Sequence, residues 1–210
     1  MIANVVIEQF HKGGPIMWPM LVVMVAALAV ILERIIWWIG HALHRDPSKL
    51  EKVYTALEQG NITEASAIAK NSKDSVIKVL WNALNHRHAS LEGALSVASG
   101  IELQKAGRFL VAMDTLITIA PLLGLMGTVI GIMHSFSAVG ESGLEVSKVS
   151  GGIGEALIAT ACGLGVAIFV VLFYNYFGAL VTKLQFEIET AANNLEIMLK
   201  SSHSPKGSQE

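Results

Sequence analysis

Four polar side chains stand in apolar surroundings that ordinarily exclude them: Asp114, Thr128, Glu155 and Thr160. The last three lie in two stretches, IAPLLGLMGTVIG at 119–131 and GGIGEALIATACGLGVA at 151–167. A hydroxyl can relay a proton or hold a water, and a carboxylate can take up and release a proton. Inside a bilayer both are costly, so their presence there is a functional hypothesis by default. Thr128 lies eight residues inside Phe136 and Thr160 eight residues inside Gly152. At 1.5 Å per helical residue each is ~12 Å from the outer end of its segment. Matched depth predicts a polar ring if several copies surround a pore. A threonine bonding the i−4 carbonyl of its own helix is the ordinary alternative.

Glu155 is only ~4.5 Å into its segment by the same count. A carboxylate so close to a helix N-terminus is stabilised by the helix dipole, and capping or facing water stands beside the ion-path reading. On an ideal helix Glu155 and Thr160 point ~140° apart, so they need not line one surface. Asp114 sits near the other end of the earlier segment, where interfacial solvation and an ion exit both remain open. Small residues accompany these groups at spacings of three and four: Gly124, Gly127 and Gly131 on one stretch, Gly152, Ala156, Gly163 and Ala167 on the other. Such stripes let helices approach closely in lipid. A short polar connection between the segments predicts an antiparallel hairpin.

The elements that must carry this hairpin follow from composition. Of 210 residues 52% are hydrophobic and 15% charged, and the net charge of −2 gives no sign of nucleic-acid binding. Mean hydropathy is +0.53, above the range of ordinary soluble domains. The single cysteine, Cys162, cannot close an intrachain disulfide and reads as a small packing residue. His86 and His88, two apart, would point to different sides of a helix, so no metal site is expected, and no cofactor. There is no HExxH, no GxSxG and no aspartate pair at matched depth, so an enzyme is not expected.

In chain order, residues 1–15 read as an extracytoplasmic amphipathic segment broken at Gly13-Gly14-Pro15, without the features of a cleaved signal peptide. Residues 16–39 form the first transmembrane helix, with Trp18 at one end and Trp37-Trp38 at the other as interfacial belts. Glu33-Arg34 near its end reads as a snorkelling or mutually compensated pair. Residues 40–108 are a polar helical region. Asp46-Pro47 starts one helix and Gly60 ends it; Asn61-Ile-Thr-Glu64 starts another; Val76, Leu80, Ala83 and Leu84 mark a third. From Ser90 the pattern runs on unbroken, predicting one long helix that continues into the second span at 109–136. Residues 137–152 read as a polar loop and 153–177 as the third span. Its periodicity persists through 178–200, and 201–210 reads as a disordered tail. The fold class is therefore all-α, a membrane protein with three transmembrane helices, the second and third long and extending into the cytoplasm.

Positive charge orients it. Residues 40–108 hold nine Lys/Arg, and Lys183, Lys200 and Lys206 follow, against Lys12 and Lys148 on the other side. This predicts a cytoplasmic C-terminus, with the N-terminus and the 137–152 loop outside.

The blocks APLLGLMGTVIGIM (120–133) and GGIGEALIATACGLGVA, followed by LFYNYF (172–177), resemble the MotA/TolQ/ExbB proton channel family in its ExbB/TolQ branch. The resemblance implies a homopentamer in the bacterial inner membrane. Its pore would be lined by the second and third helices and would hold two copies of a single-span ExbD/TolR-like partner. That partner brings the membrane aspartate that this chain lacks, and a TonB/TolA-like protein receives the work. It further implies that Thr128 and Thr160 match the family's pore threonines and Glu155 its pore-mouth glutamate. Phe169 stands where many relatives have proline, predicting a straighter third helix. The rival class is a non-conducting membrane scaffold for the same partners.

Overall fold

The computed structural model describes residues 10, 13–142 and 146–203, and within them every regular element is a helix. They are α1 (Met17–Leu43), α2 (Pro47–Glu58), α3 (Ile62–Ala69), α4 (Ser75–Ala106), α5 (Leu110–Ser142) and α6 (Val146–His203). Three stretches are long and apolar enough to cross a membrane, within Met17–Leu43, Ser90–Ser137 and Ser150–Ser201. The segment from Ile2 to Gln9 and the tail beyond His203 lie outside the described residues. The chain divides into two compact units. One comprises residues up to Arg34 with 109–176, the other 35–108 with 177 onward.

The first unit contains the membrane-spanning parts of α1, α5 and α6. The buried side of α1 is Met17, Met20, Val23, Ala27, Ile31 and Arg34, spaced three and four apart, so one stripe faces the other helices. Val22, Val25, Leu32 and Trp18 lie on its exposed side, as lipid-facing residues do. Met20 and Val23 pack with Ala120 and Ala167. Arg34 is 1% exposed, and its Nε and Nη2 donate to the two Glu33 carboxylate oxygens at 2.5 and 2.8 Å. Its guanidinium also lies 5.6 Å from the centre of the Phe109 ring. The pair is thus mutually compensated, and the arginine does not snorkel.

The second unit has a core of Val53, Leu57, Ile77, Leu80, Leu84, Ile188 and Leu195, each under 2% exposed. Burying each such side chain contributes about 1.5–3 kcal/mol. The helix starts follow local chemistry. Asp46 accepts from the Lys49 N–H at 2.9 Å, with Pro47 in the first turn. Asn61 accepts from the Glu64 N–H at 3.1 Å and donates to the Glu64 carboxylate at 2.7 Å. Asp74 caps α4 through the Val76 N–H at 2.8 Å and also accepts from the Asp46 N–H at 3.0 Å, so one carboxylate joins two helix starts. Gly60 follows α2 with φ of +74°. Trp37 and Trp38 pack against this core.

Two expectations need revision. The helix expected to run unbroken from Ser90 into the membrane is interrupted at Gly107–Phe109, where Phe109 has φ of +67°. A left-handed non-glycine residue costs about 1–2 kcal/mol, and here the Phe109 ring lies beneath Arg34. Ser90 itself is non-helical, and its hydroxyl accepts from the Gly93 N–H at 3.0 Å, so a new helical run does begin there. The polar stretch 137–152 is mostly helix, because α5 extends to Ser142 and α6 resumes at Val146. Ser and Gly at helix ends weaken an apolar pattern without ending a helix. α6 passes through Phe169 uninterrupted, and the ring packs edge-on against Phe173 at 5.1 Å between centroids.

Candidate functional site

Helices α5 and α6 meet along a seam of glycine and alanine. A Cβ added to Gly124 would fall 3.0 Å from Thr160 Cα and 3.1 Å from the Ala159 carbonyl oxygen. One added to Gly127 would fall 2.6 Å from Ala159 Cβ, and one on Gly131 2.9 Å from the Gly152 carbonyl oxygen and 3.0 Å from Ala156 Cβ. One on Gly163 would fall 2.5 Å from the Ala120 carbonyl oxygen. Each step of about four residues forward on α5 meets a step of about four backward on α6, so the pair is antiparallel. Such spacings leave no room for a side chain at Gly124, Gly127, Gly131 or Gly163. Ala167 is buried one turn further on. Gly154 and Gly165, by contrast, have open space where a Cβ would go among the described residues.

Thr160 is half-buried, and its hydroxyl donates to the Gly124 carbonyl oxygen at 3.0 Å, across the seam. Thr128 is half-buried as well, but its hydroxyl donates within its own helix to the Leu125 carbonyl oxygen at 2.6 Å. The seam also fixes relative depth. Thr160 is level with Gly124, and Thr128 lies one turn nearer the 143–145 connection, about 6 Å away along the axis. The equal depth expected from counting residues inward does not hold, since Phe136 and Gly152 are not the helix ends.

Glu155 adjoins Ala156, which faces Gly131 on α5. Its carboxylate is turned neither toward Gly124 nor along the seam. It lies against Gly14, in the turn that leads into α1, and occupies the place where a Gly14 side chain would start. The ~140° offset between Glu155 and Thr160 therefore reflects two different neighbours, α1 for the acid and α5 for the hydroxyl. The start of α1 is wedged against both other helices. A Cβ on Gly13 would fall 3.3 Å from Ile158 Cγ2, and one on Gly127 2.8 Å from Ile16 Cγ2. Asp114 is exposed on α5, and its backbone carbonyl accepts from the Thr118 hydroxyl at 3.1 Å. Cys162 lines an apolar groove with Met20, Met24 and Phe169. Pro121 sits inside α5 and cannot donate to the Ile117 carbonyl.

Among the described residues no cluster of three or more His, Cys, Asp or Glu could hold a metal ion. Residue patterns alone did not single out Gly14. Its signal was the Gly13-Gly14-Pro15 break, which marks a turn without saying what the turn faces.

The profile of the MotA/TolQ/ExbB proton channel family matches residues 50–190, spanning the α5–α6 seam and most of the second unit. The chain belongs to that family. A putative biopolymer transport protein ExbB-like 1 from Synechocystis sp. is 31% identical over 202 residues, covering 92% of this chain and 79% of the relative. A biopolymer transport protein ExbB from Neisseria gonorrhoeae is 44% identical over 81 residues, 38% of this chain and 37% of its own. A Tol-Pal system protein TolQ from Haemophilus influenzae is 41% identical over 83 residues, 39% and 36% of the two chains. These likenesses place the chain in the ExbB/TolQ branch, among membrane proteins associated with transport.

Proposed function

We propose that this chain is the pore-forming stator subunit of a proton-motive-force-driven motor in the bacterial inner membrane. It assembles as a homopentamer around an ExbD/TolR-like single-span partner and energises a TonB/TolA-type protein. The observation that carries this reading is the α5–α6 hairpin. Its glycine seam makes a tight wall that carries Thr128 and Thr160 about one turn apart, with Glu155 turned toward the start of α1, in a chain of this family. The hydroxyls offer a relay for water or a proton over about one helical turn. Asp114, exposed one turn into α5, is the group we assign to the cytoplasmic exit.

The wall does not need its own central acid if the partner brings one. In that case conduction requires both proteins, and this chain alone is closed. The test is proton uptake into vesicles holding this chain together with the product of a neighbouring ExbD-like reading frame. Thr128→Val with Thr160→Val should abolish most of the uptake driven by a membrane potential. Full uptake in the double variant would overturn the relay. No uptake with the unaltered pair of proteins would favour a non-conducting scaffold. Repeating the measurement with sodium varied at fixed pH identifies the ion.

A further inference from the structure

We propose that Gly14 is a positioning residue for the Glu155 carboxylate, a role that rests on reading Glu155 as part of the ion path. Two independent features favour glycine at this position. Its φ is +70°, a region that residues with a side chain rarely adopt. The direction in which a Cβ would project is also already taken by the Glu155 carboxylate, with Oε1, Cδ and Cγ all within reach of that point.

The turn holding Gly14 is itself fixed. Gly13 donates its N–H to the Phe10 carbonyl at 3.3 Å, and Met17 donates to the Gly14 carbonyl at 3.1 Å. A Cβ on Gly13 would meet Met17 Cγ at 2.6 Å and Ile158 at 3.3 Å, so this glycine is also closely packed. Glu155 and Ile158 are three apart on α6 and form one face, and the Gly13–Gly14 backbone lies on that face. Ile16, two residues on, sits where Gly127 leaves room on α5. The acid is thus set against main chain anchored to both neighbouring helices. A side chain packed on backbone cannot push its neighbour aside, as it could the far end of another flexible side chain. The turn therefore decides which rotamer Glu155 holds and, with it, where along the wall the carboxylate is presented. Any residue larger than glycine at position 14 must drive the acid to another rotamer.

The experiment uses the full chain, with its partner protein, in vesicles. Glu155 is labelled with a hydrophobic carbodiimide and quantified by peptide mass spectrometry, while proton uptake is recorded separately. Gly14→Ala should change the Glu155 labelling rate several-fold and reduce uptake. Gly14→Asn, which tolerates positive φ better but still projects a side chain at the acid, should behave alike. Glu155→Asp withdraws the carboxylate by one methylene. Combined with Gly14→Ala it should recover a large part of the uptake lost in Gly14→Ala, a rescue that a merely structural glycine would not show. Labelling and uptake that stay at the unaltered level in Gly14→Ala overturn the proposal. So does failure of every position-14 variant to assemble, including the one paired with Glu155→Asp, because then the backbone angle alone demands glycine. Full uptake in Glu155→Gln would remove the ion-path reading of Glu155. A labelling change in Gly14→Ala would still report the positioning.

Discussion

The Thr160 hydroxyl donates to the Gly124 carbonyl oxygen at 3.0 Å, from one membrane helix to the other. The bond joins a residue with a polar side chain to one with none. It exists only because glycine lets the two backbones come so close. An interhelical hydrogen bond in a membrane contributes on average about 0.6 kcal/mol and up to about 1.7 kcal/mol. Thr160→Val keeps the shape and removes the donor. It should lower the stability of the purified chain by that small amount, and Thr160→Ser should restore it. Unfolding followed by the far-ultraviolet signal in detergent is the measurement.

Glycines on and off the seam should respond oppositely to the same change. Gly131→Val places branched carbons where the Gly152 carbonyl and Ala156 Cβ already are, and it should prevent stable assembly. Gly165→Ala meets open space, and in a helix interior alanine is favoured over glycine by about 0.8–1 kcal/mol, so it should raise the thermal midpoint. Equal loss in both variants would contradict the assigned contacts.

Breaking the Glu33–Arg34 pair should be costly from the glutamate side. Glu33→Gln leaves a fully buried guanidinium without its carboxylate. The loss of charge-assisted bonds amounts to about 1–3 kcal/mol. Chemical denaturation of the variant in detergent checks it, and unchanged stability would mean that other contacts of Arg34 suffice.

The second unit should be sensitive to acid through Glu102. Burial alone would raise its pKa, but hydrogen bonds from Lys105 and Ser75, with the charges of Lys78 and Lys105, outweigh burial and lower it. Lys105 Nζ and Ser75 Oγ each donate to this carboxylate at 2.7 Å. A carboxylate whose folded pKa lies below its unfolded value stabilises the fold above the unfolded value, about 4.3 for glutamate. That stability is lost as pH falls from there through the folded value. Ser75→Ala removes one donor, so its acid unfolding should begin at higher pH. A pH titration of helical signal for both proteins decides it.

Much of this architecture was legible because local chemistry and tertiary packing agree. Asp46-Pro47, Asn61 with Glu64, and Ser90 all start helical runs, and each does so through a side-chain bond visible in the residue types. Three apolar runs long enough to span a bilayer announce the membrane helices. The break at Gly107–Phe109 was not legible, because a lone glycine inside a periodic pattern looks tolerable. The left-handed Phe109 accompanies contact with Arg34, 75 residues away in sequence. The relative depth of Thr128 and Thr160 was hidden for a related reason. Polar residues that continue a helix past the apolar zone look like a loop, so inward counting began from the wrong points. The direction of Glu155 depends on a turn 141 positions earlier in the chain, and no periodicity within α6 encodes that.

The seam between α5 and α6 has an electrical consequence. Where the seam is filled by backbone, alanine Cβ atoms and the bonded Thr160 hydroxyl, there is no room for a file of water, and this part of the hairpin is a low-dielectric wall. A bulky residue at Gly124 does more than weaken packing. By prying the wall open it would turn an insulator into a passive leak of the membrane potential.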